Sequence, residues 1–152
     1  MSLIAPGTPA PSFRLRADDD RTFTESDLLG RTTLLVFYPF AFSPGCTDQL
    51  NLYDDLCAQF AERDLALYAV SCDSIWCQRA FKEDLEIEIE QLSDFEPKGE
   101  TCRAFGVYHP GGFAQRALVL IGPDGVVRWS HQASTPSDVP DPGLIFDALA
   151  AH

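Results

Sequence analysis

Three uninterrupted apolar runs constrain this chain more than any other feature: Leu34-Leu35-Val36-Phe37-Tyr38, Leu65-Ala66-Leu67-Tyr68-Ala69-Val70 and Ala117-Leu118-Val119-Leu120-Ile121. None alternates apolar with polar residues, so each reads as a strand buried on both faces of a sheet. Such a sheet needs helices to cover it, and the segments between the runs carry helical periodicity.

Cys46, Leu50, Tyr53, Cys57 and Phe60 are spaced four, three, four and three, which predicts one helix face over about four turns, ended by Arg63-Asp64. After the second run, Asp73 or Ser74 can cap another helix, on which Cys77, Ala80, Phe81 and Leu85 share a face. Glu86 to Leu92 reads as irregular chain leading into a brief extended segment, and Thr101 to Phe105 as a short helix stopped at Gly106. Gly122-Pro123-Asp124-Gly125 is a turn signal, with Val126 to Trp129 as the return strand of a hairpin. A Pro-rich loop from Thr135 to Pro142 precedes a final amphipathic helix, Gly143 to Ala151. At the other end, residues 1–12 form a Pro-rich arm, and an antiparallel hairpin turns at Asp18-Asp19-Asp20. Glu25 to Leu29 is a single helical turn with Gly30 at its C-cap. This β-α-β-α order, with a late hairpin and a closing helix, is an α/β layout on a mixed sheet. At 152 residues, without internal repeat or linker, 1–152 reads as one domain.

The formal net charge of −12 argues against nucleic acid and anionic membrane as partners, both of which require a basic footprint. No apolar run approaches the roughly 20 residues of a membrane span, and the N-terminus lacks the pattern of a signal peptide. A cytoplasmic location is expected. The five cysteines, Cys46, Cys57, Cys72, Cys77 and Cys102, are an odd set for a secreted disulfide framework. They contain no CxxC and no recognisable zinc spacing, so neither a metal nor another cofactor is expected. Cys57, on the apolar helix face, reads as a packing residue. His109 and His131 lie beside turn and loop signals and read as surface residues, and the acidic patches at 18–20 and 83–90 as solvated faces.

Chemistry concentrates in Pro39 to Cys46. Cys46 falls in the first turn of a helix just after a strand ends, where unpaired N–H groups and the positive end of the helix dipole favour an anionic sulfur. Ser43 suits the N-cap, with its oxygen accepting from the Cys46 N–H, and Pro44 suits the first helical position.

Pro39, Ser43 and Cys46, at that spacing directly after an apolar strand, resemble the active-site signature of the peroxiredoxins. Arg116, just before the strand 117–121, stands where that family carries its active-site arginine. Leu92-Ser93-Asp94 and Phe105-Gly106-Val107 are also similar to family landmarks. The resemblance implies a thioredoxin-like fold, a central mixed sheet flanked by helices, preceded here by the N-terminal hairpin. It implies a thiol peroxidase in which Cys46 attacks hydrogen peroxide or an organic hydroperoxide and becomes a sulfenic acid. Arg116 would stabilise the sulfur and the transferring oxygens, Ser43 would donate to the sulfur or the peroxide, and Pro39 would shape and dry the pocket. A homodimer is implied as well.

Phe37 to Phe42 and Phe105 to Tyr108 look most like the one-cysteine, AhpE-like members. Gln49, where many members carry Glu, looks like the Q-type, bacterioferritin-comigratory subgroup. That subgroup often has a resolving cysteine five positions after the first, but Asn51 occupies the position. Cys77 is then the candidate resolving thiol, with Cys72 the other possibility. The reading adopted is a one-cysteine cycle reset by an external thiol: a low-molecular-weight thiol, or a glutaredoxin-like or thioredoxin-like protein. A thiol–disulfide oxidoreductase, weakened by the lack of CxxC, and a redox sensor are the alternatives on the same fold.

Overall fold

The structure is a computed structural model that describes residues 2–152. The three apolar runs are its central strands. β1 (Arg14–Ala17) and β2 (Thr22–Thr24) form the N-terminal hairpin, followed by a 3-10 turn, Glu25–Leu28. β3 (Thr32–Phe37) leads into α1 (Pro44–Asp55) and α2 (Cys57–Glu62). β4 (Leu65–Ser71), α3 (Ile75–Leu85), β5 (Glu90–Ser93) and α4 (Glu100–Ala104) come next. β6 (Tyr108–His109) and β7 (Phe113–Ala114) make a small separate ribbon. β8 (Ala117–Ile121), β9 (Val127–Gln132) and α5 (Pro142–Ala151) close the chain.

The main sheet has the order β2-β1-β5-β4-β3-β8-β9. Its centre is parallel, β3 with β4 and β4 with β5, while β8, β9 and the N-terminal hairpin add antiparallel neighbours. Side chains alternate across the central strands and divide the core in two. Leu34, Val36, Tyr38, Leu118 and Leu120 pack with Cys46, Leu50 and Tyr53 of α1, Phe60 of α2, Phe81 of α3 and Ile145 of α5. On the opposite face Leu35, Phe37, Val70, Val119 and Ile121 pack with Cys72, Cys102, Phe105 and the N-terminal hairpin. Gly106, at φ +74°, ends α4, and a Cβ there would collide with the Ser2 carbonyl, so glycine lets the N-terminal arm lie across this turn.

Several expectations require correction. The first helix is interrupted at Leu56, whose N–H bonds to the Tyr53 carbonyl. Phe60 still points inward beyond the break, so the apolar period gave no warning of it. The cap residue after the 3-10 turn is Leu29, in extended conformation, and Gly30 follows at φ +90°. Ser74 caps α3 by accepting from the Cys77 N–H, but the buried face is Ile75, Gln78 and Phe81, with Ala80 exposed. A polar residue belongs to that face because Gln78 Nε2 donates to Ser71 Oγ and the Leu92 carbonyl, both at 2.9 Å. β9 runs on to Gln132, which puts His131 in a strand, half-buried and stacked on Trp129; His109 is half-buried in β6 against Phe113. The β6–β7 ribbon had no counterpart in the sequence pattern.

Candidate active site

The site forms where β3 ends, α1 begins and the strand before β9 starts. Ser43 is the N-cap residue of α1 in extended conformation and Pro44 opens the helix, as expected. The first intrahelical bond runs from the Thr47 N–H to the Ser43 carbonyl at 2.9 Å, so the N–H groups of Gly45 and Cys46 precede it. Cys46 is fully buried.

Arg116 arrives from the start of β8 and is itself almost fully buried. Its Nη2 donates to Cys46 Sγ at 3.3 Å, its Nε to the Pro136 carbonyl at 2.7 Å, and its Nη1 to Gln49 Oε1. Its own carbonyl accepts from the Ala133 N–H at 2.9 Å. The guanidinium is therefore clamped by α1 and by the loop after β9, with two of its five N–H donors uncommitted. Among the described residues no carboxylate forms a salt bridge with Arg116. A buried cation needs a negative partner, and a Cys46 thiolate is in position to be one.

Pro39 is buried at the end of β3. The loop beyond it is tied to the next crossover by the Asp73 carboxylate, which accepts from the Ala41 N–H at 2.8 Å and from Ser71 Oγ at 2.7 Å. Ser43 departs from expectation: its hydroxyl donates to the Phe40 carbonyl at 3.0 Å and makes no capping bond to Cys46. The tight turn from Phe40 to Ser43, with Phe42 at φ +71°, brings that carbonyl within reach of the hydroxyl.

Residues 6–130 match the AhpC/TSA family. The chain belongs to that family, and it is a peroxiredoxin. It is 31% identical over 147 residues to alkyl hydroperoxide reductase E of Mycobacterium tuberculosis, covering 95% of both chains. It is 30% identical over 104 residues to a putative peroxiredoxin bcp of Coxiella burnetii, covering 68% of each. Among solved structures, Enterococcus faecalis AhpC superposes with a TM-score of 0.88 at 26% identity, over 99% of this chain and 92% of the other. The thioredoxin-like fold and the activity class follow: the protein is a thiol-dependent peroxidase, and AhpE-like and Q-type features both have counterparts among its relatives.

Within this peroxiredoxin the other cysteines occupy distinct surroundings. Cys77, half-buried on α3, has its thiol pushed up by burial and then by Asp73. Burial, and then Asp54, raises Cys57 to about 11. Cys102 is pushed well up by its contact with Cys72 and by burial. Cys72 and Cys102 lie in the core layer on the far side of the sheet from Cys46. Sequence reasoning missed the clamping role of Gln49, noticed only as a subgroup marker, and the roles of Asp73 and of the Pro136 carbonyl. A polar residue one turn after the cysteine, on its helix face, was the available signal for Gln49.

Proposed function

We propose that Cys46 is the peroxidatic nucleophile of this thiol-dependent peroxidase and that Arg116 stabilises its thiolate and the oxygens in transfer. The observation that carries the reading is the 3.3 Å contact between Arg116 Nη2 and Cys46 Sγ. In this step the thiolate attacks the terminal oxygen of hydrogen peroxide or an organic hydroperoxide. The S–O bond forms as the O–O bond breaks, Cys46 becomes a sulfenic acid, and the departing oxygen takes a proton to leave as water or an alcohol. The free N–H groups at the start of α1 and the two uncommitted Arg116 donors offer fixed positive charge where negative charge develops. Pro39 shapes and dries the pocket. Ser43 joins the reaction only by turning its hydroxyl from the Phe40 carbonyl toward sulfur or peroxide. Stopped-flow mixing of reduced protein with stoichiometric peroxide tests this: thiol loss is fast in the wild type and absent in Cys46→Ser. Equal rates in the two proteins would refute it.

The sulfenic acid is reset by an external thiol, a small-molecule thiol or a glutaredoxin-like or thioredoxin-like protein, in a one-cysteine cycle. Support comes from Asn51 in place of the nearest resolving cysteine and from the raised thiol of Cys77. Cys77→Ser then keeps full turnover with such a reductant; lost turnover with intact oxidation of Cys46 would assign resolution to Cys77. We take residues 1–152 as a single domain, supported by the continuous seven-stranded sheet. The protein acts in the cytoplasm, a reading supported by five free cysteines. No helix among the described residues is long and apolar enough to cross a membrane. It works as a homodimer through the edge beside the active-site loop, where Phe40, Phe42 and Trp76 are exposed.

A further inference from the structure

A second cluster of ionisable groups lies across the sheet from Cys46. Cys72 follows the end of β4, and Cys102 sits in α4; they are 30 positions apart, yet their sulfurs are 3.9 Å from each other. Asp94, just past β5, contributes a carboxylate oxygen, and the three ligand atoms all lie within 4.8 Å of one another. Cys72 is 6% exposed, Asp94 3% and Cys102 not at all. The core layer that holds both cysteines has Leu15, Phe37, Val70 and Phe105 among its apolar members.

Asp94 has one evident structural task. It accepts from the N–H groups of Thr101 at 3.1 Å and Cys102 at 2.8 Å, holding the first turn of α4. Each carboxylate oxygen has a second lone pair, so these bonds leave acceptor capacity. The Thr101 hydroxyl, on the same turn, is buried and has no hydrogen-bond partner. Two soft sulfur donors and a carboxylate thus converge on one buried spot that the peroxidase site does not use, and the residue before Cys102 carries an unpartnered buried hydroxyl.

We propose that Cys72, Cys102 and Asp94 form a binding site for a thiophilic divalent cation of the zinc class. Sulfurs bound at about 2.3 Å to a tetrahedral Zn²⁺ are separated by roughly 3.8 Å, close to the spacing already present. Asp94 completes the three protein ligands, and a water takes the fourth position. Thiolates select such an ion over Mg²⁺ or Ca²⁺, which prefer all-oxygen shells. Binding is a proton exchange without redox change: one cation enters, two thiols become thiolate ligands, and two protons leave. The ion ties the end of β4 to the start of α4, so its effect is on stability, and Cys72 is the side of the cluster that meets solvent. Linear spacing gave no hint of the site, since its ligands come from three separate segments.

The test uses the reduced chain carrying Cys46→Ser, Cys57→Ser and Cys77→Ser, which leaves only Cys72 and Cys102. Titration with Co²⁺ gives the visible spectrum of a tetrahedral thiolate site, saturating at a single equivalent and abolished by Zn²⁺. About two protons are released per ion, and the melting temperature rises with Zn²⁺ concentration. Adding Cys72→Ser or Cys102→Ser removes the spectrum, and Asp94→Asn weakens binding. If the triple variant does not fold, Zn²⁺ uptake by equilibrium dialysis compares wild type with Cys72→Ser, the ligand nearest the surface. Absence of a tetrahedral Co²⁺ spectrum in folded triple variant, or equal Zn²⁺ uptake by wild type and Cys72→Ser, overturns the proposal.

Discussion

Arg116 and Cys46 meet at 3.3 Å although 70 positions separate them in the chain. The contact joins the start of β8 to the first turn of α1, so it exists only once β3 has paired with β8. Cys46 thus receives positive charge from two sources, the guanidinium and the free N–H groups of its own helix.

Arg116→Ala removes the guanidinium and slows peroxide-dependent oxidation of Cys46 by about 10²–10³-fold, the loss typical of one oxyanion-stabilising donor. Arg116→Lys recovers little of it. An ammonium on a flexible stem cannot hold Pro136, Gln49 and the sulfur at once, as the planar fork does. Stopped-flow oxidation of the three proteins checks this, and a Lys variant at wild-type rate would show that charge alone suffices.

Gln49 holds the other arm of that fork. In Gln49→Leu the Arg116 Nη1 loses a buried acceptor, at a cost of about 1–3 kcal/mol in unfolding free energy. Oxidation of Cys46 slows with it because the guanidinium is no longer held against the sulfur. Gln49→Glu keeps an acceptor in the same place and retains most of the rate. Urea unfolding with stopped-flow oxidation separates the two variants.

The central strands were legible because a strand covered on both faces has little freedom in composition. The helix start was legible because a proline at the first helical position is a local signal, although the capping bond expected of Ser43 is not made. Arg116 could be placed just before β8 from its neighbours in the chain. What escaped depends on contacts between distant segments. Gln78 is buried because Ser71 and the Leu92 carbonyl receive its amide, and no periodicity rule would put a glutamine on that face. The Ser43 hydroxyl went to Phe40 because the intervening loop folds back under Asp73. The approach of Cys72 to Cys102 depends on α4 docking beside β4, which spacing along the chain does not encode.

Tyr53 carries a pH dependence. Its hydroxyl donates to the Pro140 carbonyl at 2.7 Å, and burial raises it to about 12 from an ordinary value of 10.0. The folded state keeps the proton where the unfolded chain gives it up. The stabilisation is therefore complete below pH 10 and is lost as pH rises to about 12, by about 2–3 kcal/mol. Tyr53→Phe cannot ionise. It is less stable than wild type near pH 8 by about 1 kcal/mol, the worth of the lost hydrogen bond, and its stability falls less between pH 10 and 12. Denaturant unfolding across that range gives the difference directly; parallel curves would mean that Tyr53 ionises in the folded protein.

Gly45 offers the most selective test of the clamp. Its backbone φ lies outside the positive region, so alanine fits the helix start without backbone strain, and α1 should form as before. A Cβ at this position would stand only 3.0 Å from Arg116 Nη2. An unclamped side chain would swing aside at little cost, but the Pro136 carbonyl and Gln49 hold this guanidinium from two other directions. The displacement must then come out of the contact with Cys46 Sγ. Gly45→Ala is expected to keep a wild-type circular dichroism spectrum and a melting temperature within a few degrees, while Cys46 oxidation slows at least about 10-fold, a loss of about 1.4 kcal/mol in transition-state stabilisation. A Gly45→Ala protein that oxidises at the wild-type rate would show that Arg116 can shift and still serve Cys46, and that the close approach of α1 to the guanidinium carries no catalytic weight.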